Sequence, residues 1–352
     1  MQAKTSRHSG KLGIVIRDQI ISGKLTTGDL ISSVRELSRG HQLAPSTVLR
    51  TLKELTQTGF LAAEPRRGYR VIFQSAAAEK SNLVACIMSS DVPFSGPAGA
   101  RNRILAALHK ATAARGGALL VLDSHVLSPD VILEKLRATP TVGAVLDTYT
   151  LQMAQSVRQA GIPAVIFDSW VPDSGLDSVM QDGQMGGLLA VRHLVNRGRR
   201  RIAWFGTMTA DAHSLDRFSG VAAGLEEAGL DLPRDRRVQI EPGRLLEQAT
   251  ELLSRPDRPD GVVALWREYA ESLRLAADRL GLKPGREFDL VGWSTEEEYL
   301  ADFGGAGRAS IPPFITWSVQ TMADTVCVRL AERRLNPALP ALRVKIPTRL
   351  QG

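Results

Sequence analysis

Leu43 to Leu61 reads LAPSTVLRTLKELTQTGFL, and how this stretch is read decides how the N-terminal part of the chain is built. At about 100° per residue, Val48, Leu49, Leu52 and Leu55 fall on one side of a helix, while Ser46, Arg50, Lys53 and Gln57 line up on the other. Pro45 suits the first helical turn, where a missing N–H costs nothing, and Gly59 suits the stop. Alone, such a pattern describes any solvated amphipathic helix.

The neighbouring residues narrow the reading. Upstream, Ser33-Val34-Arg35-Glu36-Leu37 is a Ser-x-x-Glu capping box that opens a short helix ending near Gly40. Gly40-His41-Gln42 then turns the chain into the second helix, and helix, tight turn, helix is the arrangement whose second member enters a DNA major groove. Downstream, Phe60 to Ala63 and Tyr69 to Phe73 flank the basic turn Pro65-Arg66-Arg67-Gly68, which reads as a wing of two short strands. An earlier helix from Lys11 to Ser22 places Leu12, Ile16 and Ile20 on one supporting stripe.

In order and spacing, Gly23-Lys24-Leu25, Gly28-Asp29-Leu30, Ser33 to Leu37, Thr47-Val48, Leu52, Leu55, Gly59 and Arg67-Gly68 resemble the GntR family of winged-helix transcription regulators. That resemblance, over roughly Lys11 to Val71, implies a DNA-binding role for Arg35, for Ser46, Thr47, Arg50 and Lys53 on the second helix, and for Arg66, Arg67 and Gly68 on the wing. The family often has Ser-Arg where this chain has Ala44-Pro45, which implies a different operator.

Charge supports the division. Met1 to Ser75 carries 12 Lys+Arg against 5 Asp+Glu, so of the totals of 44 and 37 the remainder holds 32 of each sign. The whole excess of +7 therefore sits on the winged-helix segment, as phosphate neutralisation by a single module requires. No apolar run approaches a membrane span, and Met1 to Gly10 has no apolar signal core, so a cytoplasmic protein with no membrane partner is expected. Cys86 and Cys327 have no metal spacing and read as buried, inert thiols.

Residues 76–81 form a linker between a 1–75 head and an 82–352 body. From Asn82 on, the apolar runs Leu83 to Met88, Ala118 to Leu122, Val142 to Leu146, Ala164 to Phe167, Ile202 to Phe205, Val262 to Leu265 and Leu290 to Trp293 alternate with helical stretches. Short buried strands between helices predict an α/β body of doubly wound parallel sheets.

Gly161 to Asp168, Asp177-Ser178-Val179, Asp182, Gly186-Gly187, Ala190, His193-Leu194, Gly198 to Ala203, Arg217, Gly220, Gly224-Leu225, Ala228-Gly229-Leu230, Val291-Gly292 and Pro312-Pro313 resemble the effector domain of the lactose-repressor family. The resemblance implies a two-lobed, periplasmic-binding-protein-like body with a ligand cleft at the hinge. It places the first lobe at 82–181 and 314–336 and the second at 182–311 and 341–352. A GntR head on such a body is the layout of AraR-type repressors, which implies a homodimer, a double-stranded DNA operator, a carbohydrate effector and no cofactor.

Ligands of open α/β sheets bind beyond the carboxyl ends of the strands. That rule selects Asp91, Phe94, Asp147, Thr148, Asp168, Arg217, Trp266, Glu268 and Trp293 as effector contacts, with carboxylates and arginine for hydroxyls and aromatic faces for a sugar ring. The family's usual Asn-Asp is Arg267-Glu268 here, and its Gly-Phe-Asp-Asp is Gly292 to Thr295. A non-sugar effector, or effector-independent regulation, is the alternative. The run Arg197, Arg199, Arg200, Arg201 reads as a solvated turn. A pyridoxal-phosphate body would need a Schiff-base lysine, and Lys110, Lys135, Lys283 and Lys345 have no such setting. With no Walker loop, HExxH, GxSxG or Cys-x-x-Cys, no enzyme activity is expected.

Overall fold

The computed structural model describes residues 12–17, 19–20, 25, 28–64, 67–72, 82–89, 99–139, 141–147, 150–172, 174–208, 212–241, 243–303 and 313–352. The expected contacts Arg66, Asp91, Phe94 and Thr148 and the linker at 76–81 lie outside these residues. Among the described residues no helix is long and apolar enough to cross a membrane.

The head begins with α1, helical over 12–17 and 19–20, which buries Leu12, Ile16 and Ile20 as its stripe predicts. The capping box opens α2 (Val34–His41): Ser33 Oγ accepts from the Glu36 amide at 3.2 Å, and the Glu36 carboxylate accepts from the Ser33 amide at 2.8 Å. The turn differs slightly from expectation. Gly40 stays helical, and Gln42 takes the left-handed conformation (φ 53) with its amide turned back to Arg39 and Ser38 carbonyls.

Pro45 then opens α3 (Pro45–Gln57), and Gly59 follows its end at φ 79. The buried stripe of α3 is Thr47, Val48, Thr51, Leu52 and Leu55. Leu49 is therefore 40% exposed, since it falls outside a stripe centred between positions 48 and 51. The hairpin β1 (Leu61–Glu64) and β2 (Gly68–Val71) pairs Leu61 with Val71 and Glu64 with Gly68, and Leu30 bridges Arg70 beside it.

The body runs β3 (Leu83–Met88), α4 (Gly99–Ala113), β4 (Ala118–Asp123), α5 (Pro129–Ala138), β5 (Thr141–Leu146), α6 (Leu151–Gln159), β6 (Ala164–Phe167) and β7 (Asp177–Gln181). It continues with α7 (Gly183–Asn196), β8 (Ile202–Phe205), α8 (Ala212–Glu227), β9 (Arg237–Val238), α9 (Leu245–Ser254), β10 (Gly261–Ala264), α10 (Arg267–Arg279), β11 (Asp289–Thr295) and α11 (Glu296–Phe303). The end of the chain is β12 (Phe314–Trp317), α12 (Val319–Leu335), β13 (Arg343–Ile346) and β14 (Arg349–Gln351).

Two six-stranded sheets result, in the orders β13-β7-β6-β5-β3-β4 and β14-β12-β11-β10-β8-β9. Every pairing is parallel except β12 with β14. The strands of the two sheet centres are buried along nearly their whole length, as the continuous apolar runs demand.

The division between lobes departs from expectation after residue 313. Phe314 to Trp317 are all buried and form an interior strand of the second sheet, so the return to the first lobe happens one element later, through α12. Arg343–Ile346 then lies beside β7 in the first sheet, and only β14 rejoins the second. A four-residue apolar run has no periodicity that says which sheet it enters, which is why the crossing was misplaced.

The arginine run before β8 is solvated as expected at Arg197, Arg200 and Arg201, which are exposed, and it also has a structural part. Arg197 and Arg199 bond Asp289 Oδ2 at 2.9 and 2.6 Å, and the amides of Arg200 and Arg201 bond Asp260 Oδ1, so the turn ties the starts of β8, β10 and β11 together. Cys86 and Cys327 are buried free thiols; burial pushes Cys86 well above its ordinary value and Cys327 up to about 11, which leaves both unreactive.

Candidate functional site

Two surfaces bring together residues that the sequence singles out. On the head, Ser46, Arg50 and Lys53 of α3, Arg35 of α2, and Arg67 and Gly68 at the hairpin tip are all exposed. Thr47 is the exception: it is 3% exposed, because it sits on the apolar stripe next to Val48 rather than on the polar face. Arg50 lies 3.8 Å from Glu54, an exposed i,i+4 pair of small energetic weight. In the hairpin, the Arg70 guanidinium is taken up by the Glu64 carboxylate and the Gly28 carbonyl, so it braces the base while Arg67 occupies the tip.

In the body, side chains from both lobes meet where β7 hands over to α7. Gln181, the last residue of β7, is the hub. Its Oε1 accepts from Arg217 Nη2 at 2.9 Å and from Trp293 Nε1 at 2.8 Å, while its Nε2 donates to Asp168 at 3.1 and 3.2 Å. Asp168 follows β6 with φ 47, an uncommon left-handed setting for a residue other than glycine, and also accepts from the Gln181 amide at 3.1 Å. Across from it, His213 in the first turn of α8 places Nδ1 3.8 Å from Asp168 Oδ2, and its ring meets Trp266 edge to face at 5.9 Å.

Arg217 is 0% exposed and enclosed. Its guanidinium carbon lies 3.9 Å from the Trp266 ring centre, 4.5 Å from Trp293 and 5.4 Å from Trp317, and its Nη1 donates to the Leu265 carbonyl at 2.5 Å. The helices force this position. A Cβ at Gly220 would stand 2.0 Å from the Gln184 carbonyl and one at Gly187 2.4 Å from the Arg217 carbonyl, so α7 and α8 touch backbone to backbone. A Cβ at Gly186 would likewise lie 2.4 Å from the Trp293 ring, so the indole fills the space its absence leaves.

Thus Arg217, Trp266 and Trp293 are brought together, yet Arg217 and the 0% exposed Trp293 face one another and Gln181. Asp147, at the end of β5, is 6% exposed. Trp170 sits under the Arg343 guanidinium at 4.4 Å. Gln181, His213 and Trp317 were not singled out from sequence. The strand-end rule, carried past Phe205 and applied to the run Phe314–Trp317, would have found His213 and Trp317; nothing local marks Gln181.

On the rim, Arg103 from α4 bonds Glu298 from α11 at 2.7 Å, a contact between lobes, and Arg267 bonds Glu298, Glu271 and Asp302 at 2.9, 2.9 and 3.0 Å. Glu268 is not part of these pairs. Burial first, then the nearby Glu298 and Glu271 carboxylates, pushes its carboxyl up to about 7 against an opposing pull from Arg267. A carboxyl whose folded value lies above its unfolded one adds stability below the unfolded value and loses it as pH rises through the folded one, here between 4.5 and about 7. Glu268→Gln is therefore expected to raise the melting temperature over wild type at pH 8 and to show little gain at pH 4.5. Thermal unfolding across this range checks it, and a pH-independent difference would refute the assignment.

Residues 80–270 match the family described as periplasmic binding proteins and sugar binding domain of LacI family, and residues 191–350 match a periplasmic binding protein-like domain. Over 149 residues, 42% of this chain and 44% of its relative, the sequence is 26% identical to the HTH-type transcriptional repressor PurR of Vibrio atlanticus. Over 146 residues it is 29% identical to PurR of Shigella dysenteriae, 41% of this chain and 42% of that protein. The match spans less than half the length of these relatives.

Among solved structures, the fold is similar to a LacI-family regulatory protein from Chloroflexus aggregans, with TM-score 0.66 and 19% identity over 77% of this chain and 97% of that one. It is also similar to the lac repressor dimer bound to operator and the anti-inducer ONPF, with TM-score 0.64 and 18% identity over 78% and 94% of the two chains. The transcriptional regulator CelR in its cellobiose complex aligns at TM-score 0.64 and 19% identity over 88% and 91%. A two-lobed α/β body with its buried cluster at the crossing of the lobes, matched over residues 80–270 by one family model, places this chain in the family of periplasmic binding proteins and LacI-type sugar-binding domains.

Proposed function

We propose that the protein is a transcriptional repressor that binds a two-fold symmetric operator as a homodimer in the cytoplasm and is controlled by a small carbohydrate bound between its lobes. The observation that carries this reading is the pairing of a basic, outward-facing helix and hairpin with a body of the LacI sugar-binding family. In this reading the head is a winged helix-turn-helix of the GntR type, with α3 in the major groove and the hairpin tip on the backbone. The relatives' names as repressors and the cellobiose in the CelR complex support the same assignment. A single head offers few base contacts, and symmetry doubles them.

In the cleft, we assign ligand contact to Asp147, Asp168, His213, Glu268 and the half-buried Trp266, with Asp91, Phe94 and Thr148 as further contacts. Arg217 and Trp293 shape this wall from behind. Carboxylates and imidazole bond sugar hydroxyls, and the indole covers an apolar ring face.

A gel-shift titration on the DNA flanking this gene tests the reading. Binding in steps of two chains per symmetric site is expected, and a footprint of a single half-site would count against it. Arg50→Ala should weaken operator binding by about 1 to 3 kcal/mol, as loss of a bidentate base contact does. Arg67→Ala should instead weaken all sequences alike and flatten the salt slope by about 1. Wild-type affinity in both variants at low and moderate salt would mean that this face does not read DNA.

A further inference from the structure

Among the described residues, the head meets the body at the C-terminal end of α12. Leu335 joins the head's apolar cluster of Leu12, Ile16, Leu52 and Phe60, and Asn336 comes within 3.9 Å of where a Cβ on Gly59 would stand. Apolar contact has no direction, so by itself it would fix no orientation. Direction comes from charge. Arg17 of α1 places Nε 3.1 Å from Glu332 Oε1 of α12, with Arg17 20% exposed and Glu332 fully buried, and its guanidinium is steadied 5.7 Å above the Phe60 ring of its own domain.

Glu332 belongs to a larger buried set. Its other oxygen accepts from Arg329 Nη1 at 2.6 Å; Arg329 Nε lies 3.1 Å from Asp177 Oδ2, and Arg333 Nε bonds the same oxygen at 2.5 Å. Asp177 is the first residue of β7, and Gln181, which holds Arg217 and Trp293, is its last. One five-residue strand thus has its two ends in the two charged clusters, that of the cleft and that beneath the head.

We propose that the head is docked on the first lobe rather than tethered by its linker alone, with the Arg17–Glu332 ion pair as the latch that sets its orientation and β7 as the rigid element joining the latch to the cleft. The latch explains how lobe rotation reaches the DNA: a ligand that moves Gln181 acts on the strand whose other end anchors α12, and α12 carries the head. That regulatory use rests on the function proposed above; the docking itself does not. Within the body, Asp177 and Glu332 already balance Arg329 and Arg333, so Arg17 can be removed without leaving a buried carboxylate unpaired.

The test uses the full chain with spin labels on His41→Cys in α2 and Lys135→Cys in α5, both exposed and neither assigned to DNA or ligand, while the native cysteines are buried and unreactive. Labelled chain is diluted into unlabelled chain so that each assembly carries one labelled copy. A single narrow distance distribution is expected. Arg17→Leu should broaden it and shift its mean, and Arg17→Lys, which keeps the charge, should retain most of it. A broad distribution in the Arg17 parent, or an unchanged one in Arg17→Leu, overturns the latch. Neither DNA nor effector enters this measurement, so a docked head without operator binding would retire the function and keep the latch, and a loose head that binds its operator would do the reverse.

Discussion

Arg217→Ala is expected to lower the unfolding free energy of the body by about 3 to 5 kcal/mol, the range for truncating a large, fully enclosed side chain. The cost has three parts. The guanidinium is fully buried, and its attraction to the indoles at 3.9, 4.5 and 5.4 Å is that of a desolvated cation–π contact, worth about 2 kcal/mol or more. The Leu265 carbonyl and Gln181 Oε1 lose a charged donor. The remainder is the cavity left among rings that cannot collapse, because α7 and α8 already touch through Gly187 and Gly220.

Urea unfolding followed by tryptophan fluorescence measures the loss, since the three indoles around the guanidinium report it directly. Arg217→Lys should recover only part, as an ammonium lacks the planar fork that reaches two acceptors and lies flat on a ring. A midpoint within error of wild type for Arg217→Ala would remove the cage from the account of this fold. The result also bears on function. Read from sequence, Arg217 is a ligand contact. With the side chain enclosed, loss of response in Arg217→Ala would report an unlocked hinge, so Glu268 and His213 are the cleaner probes of ligand contact.

Why was Arg217 legible as important but not as enclosed? The strand-end rule finds residues near a cleft from the position of strands, and the apolar runs marked β3, β6 and β8 to the residue. It cannot say which of those residues face each other. Trp293 at the position of the family's phenylalanine was visible in the chain, but that it would fill the space beside Gly186 and share Gln181 with Arg217 depends on contacts more than a hundred residues apart. The head was more legible because its signals are local: the capping box, Pro45 at the start of α3 and Gly59 past its end each act within a few residues. Even there, Thr47, a DNA contact by the family resemblance, lies buried on the apolar stripe beside Val48. The end of the chain was least legible. Arg343–Ile346 and Arg349–Gln351 have alternating, half-exposed patterns that suit any sheet edge, and they belong to different lobes.

Asp177→Asn is expected to destabilise the body by about 3 to 5 kcal/mol, as removal of one member of a buried ionic network does. Asp177 has 0% exposure; its carboxylate is ion-paired with Arg329 at 3.1 Å and accepts from Arg333 at 2.5 Å and from the Leu342 amide at 2.7 Å. Asparagine keeps the size and one acceptor oxygen, so packing is nearly unchanged and the charge is isolated as the cause. It leaves Arg329, 3% exposed, sharing Glu332 with Arg17, and takes from Arg333 the carboxylate that it bonds. Three cations against one anion in a buried site is the condition under which an ionic cluster opposes folding. Moderate salt should recover little of the loss, because a buried cluster is screened much less than surface pairs are. Comparison with Arg17→Leu separates fold from latch. That variant removes a partly exposed partner and leaves the body's two carboxylates and two guanidinia balanced, so its urea midpoint for the body should stay near wild type while the head loosens. Should Asp177→Asn instead unfold at the wild-type midpoint, the cluster at the start of β7 would have no structural weight, and the strand could not serve as a rigid link between cleft and head.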